Sequence, residues 1–264
     1  MSLPKDKQDV TKRQYAVGGD TIEKREPTLR PARKDGSALS KPLGGHQYES
    51  KEGSVEILPY KKPSFLTRVV DCVIAVIALM VFMPIMIFIG CVVKVNSKGP
   101  VLFKQQRIGA GGKLFTFVKF RTFYHDARER FPDWYAYKYN EQELETFRFK
   151  VEVDPRIIPK LGWLRNTTLD ELPNFWNVLK GDMTLVGPRP EIPEMRVYYQ
   201  DEMLEKFSVA PGVTGLAQIS GRGRLTFRDT VNIDLEYVKN RSFFYDISII
   251  FKTIIKIILR DGAF

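Results

Sequence analysis

The sequence predicts an α+β domain held monotopically on a membrane by a re-entrant N-terminal helix, with a small β-hairpin and amphipathic interfacial helices. Three observations lead there. Residues 72–93 form an uncharged run broken by Pro84. Two alternating segments flank a glycine turn at 109–112. Near the C-terminus, apolar and cationic residues recur at helical spacing.

The run CVIAVIALMVFMPIMIFIGCVV is long enough, at roughly 22 residues, to cross about 30 Å of hydrocarbon. Basic residues flank both ends: Lys61, Lys62 and Arg68 before it, Lys94, Lys98, Lys104 and Arg107 after it. A crossing helix normally shows that excess on one side only. Pro84 lacks a backbone donor and crowds the preceding turn, so a bend is expected there. A helix that dips in, turns at Pro84 and leaves on the same side satisfies both observations. A kinked single span and a buried core helix are the alternatives.

After a turn at Gly99-Pro100, VLFKQQRIG reads as a strand and KLFTFVKFRTF as its hairpin partner. Residues 126–150 read as a polar helix interrupted near Pro132. In SFFYDISIIFKTIIKIILR, Ile247, Ile250, Phe251, Ile254, Ile255, Ile258 and Leu259 fit one helical stripe, with Lys252, Lys256 and Arg260 forming a cationic one. Such a helix suits the head-group plane, or equally the domain's own core; its two lysines disfavour a second span.

The chain has 264 residues and a net charge of +10, from 41 Lys and Arg against 31 Asp and Glu. Beside a membrane segment, that balance points to anionic lipid and phosphorylated substrates. No nucleic-acid motif accompanies the charge, so nucleic acid is not an expected partner. Cys72 and Cys91, the only cysteines, lie in the apolar run, which argues against a disulfide scaffold or a zinc site. MSLPKDKQDV lacks a secretory core. Residues 1–62 are rich in charge, Pro, Gly and Ser, and read as a disordered basic extension. Residues 63–95 then hold the membrane helix, and 96–264 the remaining domain.

The densest stretch is GWLRNTTLDELPNFWNVLKGDMTLVGPRP. Leu172, Phe175, Trp176 and Leu179 follow helical spacing, and Gly181 lies where a helix from about Glu171 would stop. Pro173 is tolerated only in the first turn, which makes Asp170 the natural N-cap. At a helix start, backbone N–H groups and the dipole would keep Asp170 and Glu171 ionised and favour an anion nearby. Ordinary capping is the plain alternative. Arg165 lies upstream, and Arg189 stands in Gly187-Pro188-Arg189-Pro190, where flanking prolines hold a guanidinium ready for a phosphate fork. Lys119, Arg121 and Arg222 add cations. Together these residues suit a pyrophosphate and a divalent cation, Mg²⁺, which prefers carboxylate and phosphate oxygens.

GPVLFKQQRIGAGGKLFTFVKFRT, then LRNTTLDELPNFWNVLKGDMTLVGPRP, then VAPGVTGLAQISGRG resembles the bacterial sugar transferases, monotopic phosphoglycosyl transferases acting on polyprenyl phosphate. The likeness covers about residues 64–264, in order. It implies a catalytic domain on the cytoplasmic face of the bacterial inner membrane. It further implies transfer of a sugar-1-phosphate from a UDP-sugar to undecaprenyl phosphate, with release of UMP, as the first membrane step of exopolysaccharide, capsule or O-antigen assembly. By the resemblance Asp170 is the nucleophile, forming a covalent phosphosugar intermediate, and Glu171 completes an acidic dyad with Mg²⁺. Arg165 and Arg189 match the phosphate-holding arginines, with Lys119, Arg121 and Arg222 beside them. A homo-oligomer is compatible with all of this.

Two positions depart from the family pattern. Members often carry Ser-Pro at the helix break, where this chain has Met83-Pro84; without that hydroxyl, one way of satisfying the freed carbonyls is gone. Members also often have Met after KFRT, and here it is Phe123. Larger relatives carry several membrane helices before this domain, so the chain resembles the catalytic unit with a soluble extension. Two other readings stand beside covalent transfer: single displacement with Asp170 only a metal ligand, and a non-catalytic membrane-surface scaffold.

Overall fold

The computed structural model describes residues 58–148, 153–221 and 224–259. Helix α1, Phe65–Asn96, begins at Ser64, whose hydroxyl accepts the Thr67 N–H at 3.1 Å. It continues through Pro84 as a single helical element. Only one stripe is covered, through Asp71, Ala75, Ala78, Ile89 and Val93. Around it Met80, Val81, Ile87 and Phe88 lie open. An apolar helix buried on one side, with its greasy face outward, needs another apolar phase.

The expected hairpin forms. Strand β1, Leu102–Ile108, pairs antiparallel with β2, Leu114–Phe120, so that Phe103 faces Lys119 and Ile108 faces Leu114. The turn between them uses Gly111 and Gly112 at φ 65° and 80°, a region glycine enters without a Cβ clash. Alternation in β2 turns Phe115 and Phe117 inward and puts Lys119 on that same face. A lysine is thereby drawn toward the interior.

Residues 126–148 differ from the single interrupted polar helix read from the sequence. They form α2, Ala127–Arg130, a 3₁₀ turn at Pro132–Tyr135, and α3, Glu141–Thr146. Pro132 starts the 3₁₀ turn, Tyr137 enters the left-handed region at φ 47°, and Asn140 begins α3 anew with a capping box to Glu143.

Helix α4, Gly162–Asn166, leads through a 3₁₀ turn, Leu169–Glu171, to α5, Asn174–Lys180. Strand β3, Thr184–Val186, pairs parallel with β4, Gly212–Thr214. Two 3₁₀ segments, Pro193–Tyr198 and Asp201–Ser208, lie between them. Helices α6, Leu216–Ser220, α7, Phe227–Asn240, and α8, Phe243–Ile258, complete the order.

The core has three parts. Ala75 of α1, Phe117, Val178, Leu185, Val238 and Ile249 join α1, β2, α5, β3, α7 and α8. Ile108, Met195, Phe207, Phe227 and Val231 form the second part. The far half of α1 enters the third, where Ile89 and Val93 meet Phe120, Leu161, Leu164 and Leu172. Both ends of α1 therefore pack on the same body. Helix α8 divides along its length: Asp246 and Ile249 are buried, whereas Phe251, Ile254, Ile255, Ile257 and Ile258 are exposed. The first half thus packs on the domain's own core, and the second half leaves its apolar residues open.

The last residues before α1 follow the domain surface. Residues 1–57 lie outside the described residues, but 58–62 are held against the domain. Leu58 N–H donates to Gly111 O at 3.1 Å, Lys61 N–H donates to Ser208 O at 2.8 Å, and Arg241 donates to Lys61 O at 3.0 Å. Cys72 and Cys91 are free thiols.

Candidate functional site

Asp170 sits in the middle of the 3₁₀ turn and is not the N-cap of α5, a position taken by Pro173. The turn is launched by Thr168 at φ 62°, a left-handed conformation uncommon for a β-branched residue. Glu171 N–H closes it onto Thr168 O at 3.1 Å. The carboxyl's shift runs opposite to the one a cap position implies. Burial pushes its pKa up to about 6, Glu171 adds to the rise, and Lys119 and Arg165 pull against it.

Lys119 is the nearest cation, its Nζ 3.9 Å from Asp170 Oδ2. The two side chains are 14% and 6% exposed, so water screens the pair weakly. Burial brings Lys119 down to about 8, opposed first by Asp170. Its ammonium also lies over the rings of Phe103 and Phe123, at 5.6 and 5.9 Å.

Arg165, on α4, stacks over Phe123 at 4.7 Å. One of its terminal nitrogens is buried without a hydrogen-bond partner among the described residues. An unused guanidinium donor a short way from an acid suits an anionic oxygen. Arg156 lies over Phe123 at the same 4.7 Å distance, and pairs with Asp154 at 2.7 Å. The Phe123 ring is thus a platform for cations, a role the sequence did not disclose.

Arg189 reaches Glu171 from its turn, Nη2 to Oε1 at 3.4 Å, with the arginine side chain 45% exposed. That carboxylate raises the guanidinium's pKa. Two motifs that are apart in sequence meet to hold this turn. Gly187 N–H donates to Thr214 O, and Gly212 N–H to Pro188 O, both at 2.9 Å. A Cβ on Gly187 would lie 2.5 Å from Ala210 O, so only glycine permits the approach. Arg107 of β1 donates to Pro190 O at 3.2 Å. Beyond Pro190 the turn is rooted in buried polar groups: Tyr199 donates to Glu191 at 3.0 Å, and Lys206 Nζ lies 3.1 Å from Asp234. In the sequence Arg107 counts only among the basic residues after the apolar run, and the members of this network carry no pattern that links them.

Asp170, Glu171, Arg165, Arg189 and Lys119 are thus brought together. Arg121 is placed otherwise: it is 3% exposed and donates to Pro100 O at 2.6 Å, bracing the loop after α1. Arg222 lies outside the described residues. Pro84 lies within α1, far from the acids in sequence. No cluster of three His, Cys, Asp or Glu side chains suited to a metal occurs among the described residues. Two adjacent carboxylates are a partial oxygen set. Asp170 and Glu171 are the acids here that could hold Mg²⁺, which binds through one or two carboxylates and completes its shell with substrate phosphates and water.

The family model described as "Bacterial sugar transferase" matches residues 62–260. The undecaprenyl-phosphate galactose phosphotransferase of Salmonella typhimurium is 38% identical over 207 residues, covering 78% of this chain and 43% of that protein. The undecaprenyl-phosphate glucose phosphotransferase of Komagataeibacter xylinus is 37% identical over 208 residues, 75% of this chain and 36% of the relative. The exopolysaccharide production protein ExoY of Rhizobium meliloti is 35% identical over 199 residues, 75% of this chain and 87% of the relative. The matched region thus spans less than half the length of the first two relatives and most of the third.

Proposed function

The chain belongs to the bacterial sugar transferase family, and from that premise we propose that it moves a sugar-1-phosphate from a UDP-sugar to undecaprenyl phosphate, releasing UMP. The relatives named for undecaprenyl-phosphate galactose and glucose transfer support that substrate class, and the exopolysaccharide relative supports a place in surface-polysaccharide assembly. The observation that carries the reading is the buried Asp170 carboxylate 3.9 Å from Lys119, beside an Arg189–Glu171 pair on a rigid turn.

Two displacements follow. An Asp170 oxygen attacks the phosphorus bearing the sugar; the new O–P bond forms as the P–O bond to UMP breaks, and UMP leaves with the electron pair. A phosphate oxygen of the lipid then attacks the same phosphorus, the bond to Asp170 breaks, and the carboxylate is restored. One demanding transfer becomes two, with the protein supplying position and charge. Lys119 and Arg165 face the attacking carboxylate, so they hold the transferred phosphoryl oxygens. Arg189, more open, takes the departing phosphate. Asp170 and Glu171 would hold Mg²⁺, which neutralises diphosphate charge when bound.

The domain works from one face of the membrane, with α1 re-entrant. The candidate membrane helix has only 17% of its apolar window buried, yet Ala75 near one end and Val93 near the other pack on the same body. A crossing helix would carry one end away from that body. The apolar half of α8 is also exposed, and such a face suits the head-group layer, where a lipid phosphate is fixed. The bacterial inner membrane, cytoplasmic side, is where a soluble UDP-sugar and this acceptor meet. Incubating the protein with Mg²⁺, undecaprenyl phosphate and a panel of UDP-sugars tests the reading. UMP release with at least one donor is expected; none with any donor overturns it.

A further inference from the structure

Among the described residues, strand β3 has a ladder partner on one side only. Thr184 N–H and Gly187 N–H run toward the β4 side, to Pro211 O and Thr214 O. Leu185 N–H points the other way, where it meets a carboxylate: Asp71 Oδ1 of α1 accepts it at 3.1 Å. One helical turn earlier, Arg68 donates to Val178 O and Leu179 O at 2.6 and 2.8 Å, closing the last turn of α5. The first turns of the membrane helix therefore grip two segments, and each carries part of the site. Strand β3 runs into Gly187-Pro188-Arg189-Pro190, and α5 follows directly on the turn holding Asp170 and Glu171.

Asp71 is 3% exposed, and its second oxygen is buried with no hydrogen-bond partner among the described residues. A buried acid is a costly way to attach an otherwise apolar helix, which Ala75, Ile89 and Val93 already seat. A leucine would cover the same area, but it would strand the Leu185 N–H away from water. The carboxylate replaces the missing neighbour strand.

We propose that Asp71 is a positioning residue: through Leu185 it transmits the placement of the membrane helix to the Arg189 turn, while Arg68 does the same for the acid pair through α5. The proposal rests on the reading of Arg189 as a phosphate ligand. Membrane seating and site geometry are then one arrangement, because the helix that meets lipid also fixes the 3.4 Å approach of Arg189 to Glu171.

The test uses the full chain in lipid nanodiscs, comparing wild type, Asp71→Asn and Asp71→Leu. Asparagine keeps an acceptor for Leu185; leucine does not. Hydrogen exchange across 185–189 is expected to rise about tenfold or more in Asp71→Leu, with α7 unchanged and the asparagine variant close to wild type. Donor kcat/KM should fall roughly ten- to a hundredfold in Asp71→Leu, and combining it with Arg189→Lys should cost less than the product of the separate losses. Unchanged exchange at 185–189, a uniform rise over the whole domain, or multiplicative losses would each overturn the proposal. A wild type that releases no UMP defeats the transferase reading, and the exchange comparison still decides on Asp71.

Discussion

Replacing Lys119 by methionine removes the nearest cation from Asp170 while keeping side-chain length. At 3.9 Å the attraction lost is about 4 kcal/mol at an effective dielectric of ~20, and about 1 kcal/mol in water. With only 14% and 6% of the two side chains exposed, the true value lies between these limits. One pKa unit corresponds to ~1.4 kcal/mol, so the Asp170 pKa should rise by about one to three units above its present value of about 6. The sign follows from the attacking form. Asp170 must be ionised, so wild-type donor kcat/KM falls as pH drops below about 6. Lys119 must be charged, so it falls again above about 8. Lys119→Met should move the acid limb to about pH 7 or higher and abolish the alkaline limb. From titration alone, activity at pH 7 then drops by between about twofold and about a hundredfold, and it partly recovers by pH ~9. The assay is initial-rate UMP release at low donor, because donor kcat/KM does not report titration of the acceptor's own phosphate. An acid limb at or below the wild-type position would refute the coupling.

Three further outcomes are expected. Asp170→Asn should melt higher than wild type at pH 7–8, by an amount on the order of 2–3 kcal/mol. Folding stability held below pH ~4 is lost as pH rises through about 6 when a buried acid must ionise, so the gain should vanish near pH 4; no gain at pH 8 would contradict the burial argument. Arg189→Ala should raise the donor KM at least tenfold with little change in melting temperature, since its guanidinium is exposed and held by one long bond; an unchanged KM counts against a phosphate role. Lys206→Met should destabilise by about 3–5 kcal/mol in chemical unfolding, because it leaves Glu191 and Asp234 buried without their cation. Adding Asp234→Leu should recover part of that loss.

Local signals carried much of the fold. The hairpin was legible because alternation and a glycine turn act over neighbouring residues, and α8 because its two stripes repeat every turn. The break of 126–148 into short pieces depended on Tyr137 entering the left-handed region, which no pattern announces. The cations around Asp170 are legible in the sequence, but its backbone position is not: the chain turns at Thr168 before α5 begins, so the acid lies buried inside the 3₁₀ turn and not at the N-cap of α5. Lys119 and Arg121 are two residues apart on one strand end, yet only Lys119 reaches Asp170. Arg121 is claimed by the loop after α1, through Pro100 O. No sequence pattern singles out Asp71. Its partner, the Leu185 N–H, is 114 residues away and exists only once β3 has formed.

A single experiment bears most directly on the phosphotransfer mechanism: intact-protein and peptide mass spectrometry after brief mixing with a UDP-sugar and Mg²⁺ in the absence of lipid acceptor. A mass gain equal to one sugar phosphate, localised to the peptide containing Asp170 and discharged on adding undecaprenyl phosphate, is the expected result. UMP formation that requires the lipid from the first turnover, with the protein mass unchanged throughout, would contradict it.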